Sequence, residues 1–428
     1  MLTLQPRTTT TLTQVRCTRG SCFGAVTAAK ARSSCTAAKH CKGHLTMAKA
    51  QKNDNSIFEE AEDGYTHPIA DNYVVLNGLK YVRPYHFDFV MNIKRRQKGK
   101  TLVELFLHEF PQRSREYYER AVSEGRLRQM LAPTDQQGLV PLKEGEVVRH
   151  FVHRHEPPVM DIPVELLYHT PEVVVVNKPP SMPVHHAGQY RKNTVVGHLA
   201  AFHNITDAKP VHRLDRNVSG LLVMARTAKK ADEFRAQIEG HDVRKYYVAR
   251  VLGIFPEEEV ECTAPLAWDA RAGQTIVGSI AEGGKEARTK FRRLSVAEDG
   301  RTSVVECMPL TGRTHQIRVH LQHLKHPIAN DVKYGGDGLI AFAHSPIKLD
   351  ISCPEIPQGE VATPGHSEPS DECEVSHRVD YMGAVDSVGV AADSMCPHCP
   401  WLAPEGWDPA EVVPLWLHAQ KYSGEGWE

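Results

Sequence analysis

The first 53 residues contain no aspartate or glutamate, whereas the whole chain of 428 residues has 52 acidic side chains against 51 lysines and arginines. The same stretch carries nine basic residues and is rich in threonine, alanine and serine. A segment without acids but with arginine and hydroxyl side chains is typical of an organelle transit peptide. We therefore expect residues 1–53 to direct the protein to a mitochondrion or chloroplast. The alternatives are a disordered basic tail, or a start at Met47, which would place the protein in the cytoplasm or nucleus.

Long apolar runs are also missing. No segment approaches the roughly 20 apolar residues that cross a bilayer, so we expect no membrane span and no membrane partner. The ten cysteines, four of them within the first 53 residues, do not form the dense pattern of a secreted disulfide scaffold. This cysteine usage favours a reducing compartment. The formal net charge of −1 does not by itself indicate a nucleic-acid partner.

The first region with recognisable periodicity opens on a basic run. Residues 93–100 read IKRRQKGK, two predicted helices follow over residues 101–110 and 115–124, and the strand-like sequence GEVVRHFVHRHEPP comes next. We expect an N-terminal extension over residues 54–92 and a small αβ module over residues 93–157.

One side of this small module is basic, and Arg95 and Arg96 are our candidates there for contacts to RNA phosphates. Clustered positive charge on one side of a module is the electrostatic footprint of binding to a phosphate backbone. An ordinary helical hairpin with a solvated face explains the same residues equally well. The module alone therefore does not establish an RNA partner.

Short strands dominate from residue 159 onward, and predicted helices over residues 228–239 and 314–325 do not alternate regularly with them. This pattern predicts an α+β fold with a mixed, largely antiparallel sheet and flanking helices, and it excludes a doubly wound fold. We expect the remaining parts of the chain to be a catalytic domain, a low-complexity linker and an aromatic segment that packs on the catalytic domain, over residues 158–345, 346–394 and 395–428.

An aspartate stands between two arginines in HRLDRNVSGLLV, directly before an apolar strand. Asp215 at such a position suits nucleophilic or electrostatic chemistry, because a nearby arginine keeps a partly buried carboxylate ionised. Two further basic clusters accompany it, one with Lys245 and Tyr247 and one with Arg318. A structural salt bridge explains this spacing as well, so the residues alone leave both interpretations open.

Three segments, HRLDRNVSGLLV, RKYYVARVLG and LTGRTHQIRVHL followed by HPIAND, resemble in order and spacing the signatures of the RluA-type RNA pseudouridine synthases. The C-terminal aromatic segment is similar to the plant-type members. The resemblance implies the pseudouridine synthase fold, with Asp215 as nucleophile, Tyr247 as active-site tyrosine and Arg318 as the partner of Asp215. It implies that Arg213 occupies the place that the flipped base leaves.

The same resemblance implies an enzyme that isomerises uridine to pseudouridine in RNA, with tRNA favoured and rRNA possible as the substrate. The implied protein is a monomer that needs no cofactor and no metal. Candidate RNA-binding residues near the site are Arg213, Arg216, Lys245 and Arg313. One departure from the family lies in the small module, where LRQMLAPTDQQG replaces a valine-asparagine-glycine hairpin. This departure affects the RNA binding expected of the module, not the catalysis.

Two other functions remain as alternatives. One is an RNA-binding protein without activity, against which the intact Asp215, Tyr247 and Arg318 argue. The other is a zinc-dependent nucleobase deaminase, whose His-x-Glu and Cys-x-x-Cys signature is mimicked by His366 and Glu368 with the pair Cys396 and Cys399. Pro369 disfavours the helix that the deaminase motif requires.

Two groups of metal-ligating residue types stay unassigned. Cys396 and Cys399 have the spacing of half a zinc knuckle, which Cys353 and Cys373 would complete, and two reduced thiols are the plainer interpretation. Three histidines, at positions 150, 153 and 155, fit a packed strand end or an RNA-facing rim better than a metal site. We therefore assign no metal ligands from the sequence.

Overall fold

The computed structural model describes residues 67–130, 132–133, 136–337 and 384–427. The expectations for residues 1–53 and for most of the 346–394 segment lie outside these residues. Within them, no helix is both long and apolar enough to cross a membrane.

Seventeen strands are formed by the described residues, and we number them in chain order. The first eight are β1 Tyr73–Leu76, β2 Leu79–Val82, β3 Tyr85–Asn92, β4 Leu127–Gln129, β5 Val147–Arg154, β6 Val159–Met160, β7 Glu165–His169 and β8 Val173–Lys178. The others are β9 Lys209–Pro210, β10 Ser219–Ala225, β11 Arg244–Leu252, β12 Val260–Cys262, β13 Leu266–Asp269, β14 Gln274–Val277, β15 Thr289–Val296, β16 Thr302–Pro309 and β17 Leu417–Ser423.

Five α-helices accompany these strands in the described part of the chain. They are α1 Leu102–Glu109, α2 Arg115–Ser123, α3 Val195–His203, α4 Ala228–Glu239 and α5 Gln316–His323. Short 3-10 helices lie at Ala70–Asn72, Arg95–Gln97, Ile280–Glu282, Val332–Tyr334, Val385–Val388 and Pro409–Val412. Thr101 caps α1 as the sequence predicts, because its Oγ1 accepts from the Glu104 N–H at 3.4 Å and its own N–H donates to Glu104 Oε2 at 2.8 Å.

A nine-stranded sheet forms the centre of the fold. Its strand order is β12-β15-β16-β11-β17-β10-β8-β7, and β9 pairs with β10. Every pair is antiparallel except β10 with β17, which run parallel. The main apolar core lies against this sheet and includes Val176, Leu222, Val305 and Leu321. The prediction of an α+β fold with a mixed, largely antiparallel sheet is therefore confirmed.

Strand β17 lies between β10 and β11, in the middle of the central sheet. The sequence predicted that residues 395–428 pack on the catalytic domain, and seven of them instead enter its sheet. Gly220 makes the close parallel pairing possible. Its φ is +116°, and a Cβ there would lie 2.3 Å from Ala419 O. Only glycine fits such an approach of two backbones.

The small N-terminal module is built on a second sheet, with the order β3-β5-β4. Helices α1 and α2 pack beside it, and Leu105, Phe106, Tyr118 and Leu127 form their shared core. Strand β3 ends at Asn92 and belongs to this sheet. The module thus includes residues before position 93, where the sequence predicted it to begin.

A third apolar cluster joins distant parts of the chain. Leu79 and Tyr81 of β2 contact Leu402, Ala403 and Trp407 of the segment after residue 384. Met395 of the same segment belongs to the helical core of the small module. Residues 384–407 are therefore packed against two cores, although the linker predicted from the sequence extended to residue 394.

Candidate active site

Asp215 lies in a turn between β9 and β10. The turn closes where the Val218 N–H donates to Asp215 O at 3.1 Å. The fully buried Lys178 supports it from below, since its ammonium donates to the carbonyls of Pro179, Arg216 and Val218 at 2.8, 2.9 and 2.7 Å. Three acceptors require all three protons of the ammonium form, although burial lowers the pKa of Lys178 to about 7. Lys178 thus fixes the backbone that presents Asp215.

Arg318 on α5 links two carboxylates. Its Nη1 lies 3.3 Å from Asp215 Oδ2, while its Nε and Nη2 donate to the two oxygens of Asp331 at 2.7 and 2.8 Å. The Asp331 side chain is 2% exposed and that of Asp215 is 25% exposed. The bidentate contact sets the plane of the guanidinium. Asp331 therefore holds Arg318, and Arg318 holds Asp215.

His315 also faces Asp215. Its Nε2 lies 3.6 Å from Asp215 Oδ2, and its Nδ1 is 2.7 Å from the hydroxyl of Tyr334. Its backbone is left-handed, with φ at +54°, directly before α5 begins. Burial lowers the pKa of His315, an effect that Asp215 opposes. A strained backbone that places a side chain on a carboxylate is typical of functional sites.

Two tyrosines form the aromatic wall beside Asp215. Tyr247 on β11 and Tyr422 on β17 share a hydrogen bond of 2.6 Å between their hydroxyls. Both side chains are buried, and burial raises the pKa of Tyr247 to about 12. The two rings stay protonated and neutral at physiological pH.

A cavity of about 420 Å³ opens above Asp215. It is bordered by Tyr247, Tyr422, His315 and Arg318 and by the cations Arg213, Lys245 and Arg313. We call these three cations the rim. In the described part of the chain no carboxylate lies within salt-bridge distance of them. An open cavity with a carboxylate, aromatic rings and cations that have no carboxylate partner suits an aromatic, anionic ligand.

The loop that carries the rim residue Arg313 is held rigidly. Gln316 Oε1 accepts from the Arg313 N–H at 3.0 Å and from Thr311 Oγ1 at 2.7 Å. Its Nε2 donates to Arg288 O and to Thr289 Oγ1, both at 2.9 Å. This buried amide is satisfied at both ends and fixes the loop before α5.

The structure thus brings Asp215, Tyr247 and Arg318 together, with Arg213, Lys245 and Arg313 around them, as the sequence proposed. It does not bring Arg216 to the cavity. Arg216 Nη1 donates to the Tyr190 hydroxyl at 2.7 Å and to Glu411 Oε2 at 3.0 Å.

The guanidinium of Arg216 therefore anchors the 3-10 helix Pro409–Val412. Its role as an RNA-binding residue stays a prediction. Arg95 and Arg96 lie on the small module, away from the cavity lining. Arg95 is exposed, whereas Arg96 forms a bidentate contact with Glu109 at 2.9 and 3.2 Å.

Sequence reasoning missed Lys178, Asp331, His315 and Tyr422 as site residues. Two of them carried a local signal, since a lysine ends the apolar run VVVVNK and His315 precedes an apolar helix face. Asp331 ends the HPIAND segment, but nothing in that segment indicated that it would form an ion pair with Arg318. Tyr422 had no signal, because its strand enters the sheet from far along the chain.

The predicted histidine group divides in the structure. His150 points toward the helices, where its Nε2 lies 3.4 Å from the Tyr117 hydroxyl. His153 and His155 face Cys396 and Cys399, and these four residues could hold a metal ion. The three histidines do not form one cluster, because positions 150 and 153 lie on opposite faces of a strand.

The deaminase alternative used Cys396 and Cys399 as its Cys-x-x-Cys motif. In the structure these two cysteines lie against His153 and His155. Its other half, His366 and Glu368, and the candidate knuckle ligands Cys353 and Cys373 lie outside the described residues.

Comparisons with known proteins agree with the site geometry. A sequence model of the RNA pseudouridylate synthase family matches residues 172–323. RNA pseudouridine synthase 7 of Oryza sativa subsp. japonica is 41% identical over 374 residues, which cover 84% of this chain and 90% of the rice protein. The tRNA pseudouridine(31) synthase of Saccharomyces cerevisiae is 31% identical, with coverage of 81% of this chain and 92% of the yeast protein.

A third relative is the mitochondrial tRNA pseudouridine(32) synthase of Saccharomyces cerevisiae. It is 42% identical over 267 residues, which cover 62% of this chain and 57% of that protein. The chain belongs to the RNA pseudouridine synthase family. It is an enzyme, and the family and activity expected from the sequence are confirmed.

Proposed function

We propose that this enzyme converts uridine to pseudouridine in tRNA, as a monomer, with Asp215 as its nucleophile. The observation that carries the proposal is the carboxylate of Asp215 at the base of the cavity, 3.3 Å from Arg318 and facing Tyr247 across open space. The rim cations supply contacts for RNA phosphates.

Asp215 is proposed to attack C1′ of the ribose while the C1′–N1 bond breaks. The freed base turns, and C5 forms the new bond to C1′ as the aspartate leaves. C5 loses a proton and N1 gains one, so the reaction conserves all atoms and consumes no cofactor. Arg318 holds the carboxylate in position for this attack, because its Nη1 donates to Asp215 Oδ2 at 3.3 Å.

The target base must leave the RNA stack to reach Asp215, at a cost of a few kcal/mol. Tyr247 offers a ring face for the flipped base, and such stacking contributes about 1–3 kcal/mol. Arg213 lies on the rim beside Asp215, where its side chain can enter the gap that the base leaves. These contacts together offset the cost of extruding the base.

The names of two yeast relatives support tRNA as the substrate. One is a tRNA pseudouridine(31) synthase and the other a tRNA pseudouridine(32) synthase. Organellar rRNA is the second candidate. The substrate is tested by incubating the full chain with total tRNA and, separately, with rRNA from cells that lack the enzyme, followed by mapping of pseudouridine at nucleotide resolution.

We expect new pseudouridine at a defined tRNA position, without added nucleotide. Modification of rRNA alone would move the substrate assignment to rRNA. If no RNA gained pseudouridine while the protein was folded and bound RNA, the proposed activity would be wrong.

We also propose a mitochondrial location. The acid-free composition of residues 1–53 and the mitochondrial yeast relative support it. Residues 1–53 fused to a fluorescent protein should bring it to mitochondria, and a fusion that carries acidic substitutions at the basic positions should remain in the cytosol. Accumulation in chloroplasts or the nucleus would contradict the proposal.

A further inference from the structure

Four metal-ligating side chains meet outside the active site. His153 lies on β5 and His155 directly follows that strand, so the two share one face. Cys396 and Cys399 come from the segment that packs against two apolar cores. The four ligating atoms all lie within 4.8 Å of one another.

The separations of these atoms fit a tetrahedral zinc ion. His155 Nε2 lies 3.2 Å from His153 Nδ1, and Cys399 Sγ lies 3.4 Å from His153 Nδ1 and 3.6 Å from His155 Nε2. Zinc bound at its usual Zn–N and Zn–S lengths sets nitrogen atoms about 3.3 Å apart and nitrogen and sulfur about 3.6 Å apart. Three of the four ligating atoms therefore already have the spacing of zinc ligands, while Cys396 Sγ lies within 4.8 Å of each of them and donates to His153 O at 3.6 Å.

The hydrogen bonds around the cluster orient its donors as well. His155 Nδ1 can only donate to the carbonyl of Leu402, at 3.3 Å, which leaves the lone pair of Nε2 pointing into the cluster. The Asp393 N–H donates to Cys399 Sγ at 3.4 Å. Such contacts fix the tautomer of a ligating histidine and the position of a ligating sulfur.

The turn that carries the cysteines is anchored independently. Asp393 accepts from Arg126 Nη1 at 2.6 Å and from the Met395 N–H at 2.8 Å, and His86 Nε2 lies 3.3 Å from its carboxylate. Strand β5 and the cysteine turn are therefore held in place by contacts that do not involve the four ligands.

We propose that His153, His155, Cys396 and Cys399 bind one structural zinc ion. Two nitrogen and two sulfur ligands at tetrahedral spacing select zinc among common divalent metals. Four protein ligands leave no open position for water or substrate, which marks a structural site, not a catalytic one. The ion would tie the end of β5 to the segment of residues 393–403 and so hold the small module against the rest of the protein.

The test measures metal in the full chain, purified under reducing conditions without chelator, by inductively coupled plasma mass spectrometry. We expect about one zinc ion per chain. Cys399→Ser and His155→Asn should each lower the zinc affinity at least about tenfold, because loss of even an outer-shell partner costs about 10–100-fold. His398→Gln is the matched control, because His398 lies between the cysteines but accepts from the Glu405 N–H.

Cobalt substitution provides a readout that does not depend on the variants. The wild-type chain loaded with Co²⁺ alone should show the intense visible bands of a tetrahedral site and a sulfur-to-metal charge-transfer band. Absence of zinc from the wild type, together with no uptake of Zn²⁺ or Co²⁺ by the reduced protein, would overturn the proposal. Stoichiometric zinc in folded Cys399→Ser would overturn the assignment of these ligands.

Discussion

Arginines and lysines are abundant both on the small module and around the cavity, yet the two regions use them differently. On the module, Asp88 accepts from Arg128 and Arg149 at 3.1 and 2.7 Å, and Glu109 neutralises Arg96. Around the cavity, the rim cations face open space without a carboxylate partner among the described residues. A basic sequence therefore does not by itself identify a phosphate-binding surface, because internal carboxylates can already occupy the guanidinium groups.

The largest effect is expected at Asp215, the cavity carboxylate that contacts Arg318. Asp215→Asn keeps the side-chain volume but removes the nucleophile, and single-turnover activity should fall at least about 10⁴-fold. RNA affinity should stay within several-fold, because a carboxylate repels phosphates. Asp232→Asn on the exposed face of α4 is the matched control and should leave both unchanged. Measurable multiple turnover by Asp215→Asn would remove this residue from the catalytic role.

The next largest effect concerns the arginine shared by two carboxylates. Arg318→Ala leaves Asp215 and Asp331 without their common cation, and loss of one partner from a buried ion pair costs about 3–5 kcal/mol. The single-turnover rate at saturating enzyme should fall several hundred-fold, because the Asp215 carboxylate loses the side chain that positions it. Arg318→Lys keeps the charge but not the bidentate contact, so its single-turnover rate should lie between those of the wild type and Arg318→Ala. A loss of affinity alone, with an unchanged saturated rate, would make Arg318 a phosphate contact.

We expect low pH to lower the folding stability of both regions, the small module and the surroundings of the cavity. His212, which lines the cavity, accepts from the Val223 N–H at 3.1 Å and must be neutral to do so. Burial lowers the pKa of His212 to about 3, and that of His150 in the small module also to about 3. Since an unfolded histidine has a pKa of about 6.5, the unfolded chain binds more protons between these values. Stability should therefore fall by about 1.4 kcal/mol per pH unit for each such histidine as pH drops below 6.5.

Urea unfolding at pH 7, 6 and 5 measures this dependence. His212→Asn should reduce the slope of the unfolding free energy against pH by the contribution of one histidine. His241→Asn, at an exposed position with a left-handed backbone that asparagine tolerates, is the control. If the free energy of unfolding had the same pH slope in wild type and His212→Asn, His212 would bind its proton equally well in the folded and unfolded chain. The lowered pKa of His212 would then be wrong.

The smallest effect tests the comparison of the two basic surfaces directly. Arg313→Ala should weaken RNA binding and lower the salt dependence of affinity by about one phosphate contact. Arg95→Ala should do so modestly, and Arg96→Ala should change less, because Glu109 already occupies this guanidinium. Glu109→Gln releases Arg96 and should raise the salt dependence. Equal effects of Arg96→Ala and Arg313→Ala would break the distinction between paired and rim cations.

Much of the fold was predictable where local patterns coincide with tertiary structure. The helix over residues 228–239 was predicted with its observed ends, because Thr227 caps it and its apolar residues recur at helical spacing. Helix α3 was missed, since VVGHLAAFH is apolar on nearly all sides and shows no periodic face. Strands β13 and β14 were also missed, because a short hairpin of four-residue strands carries little pattern.

The active site was predictable to the extent that its residues lie in contiguous motifs. Asp215, Tyr247 and Arg318 each belong to such a motif. The second carboxylate on Arg318, the buried ammonium of Lys178 and the partner tyrosine on β17 depend on contacts across long sequence distances, which no local pattern encodes. The same limit applies to the four-ligand cluster, where two histidines meet a cysteine pair that follows 243 residues later.

Strand β17 has a consequence for the order in which the enzyme matures during translation. Strands β10 and β11 emerge from the ribosome early and close together, but each must wait for β17 before the gap between them is filled. Until residues 417–423 arrive, the nascent sheet exposes two open edges, which are prone to aberrant pairing. The wall tyrosine Tyr422 lies on the same strand, so we expect the aromatic wall of the cavity to form only after β17 has entered the sheet.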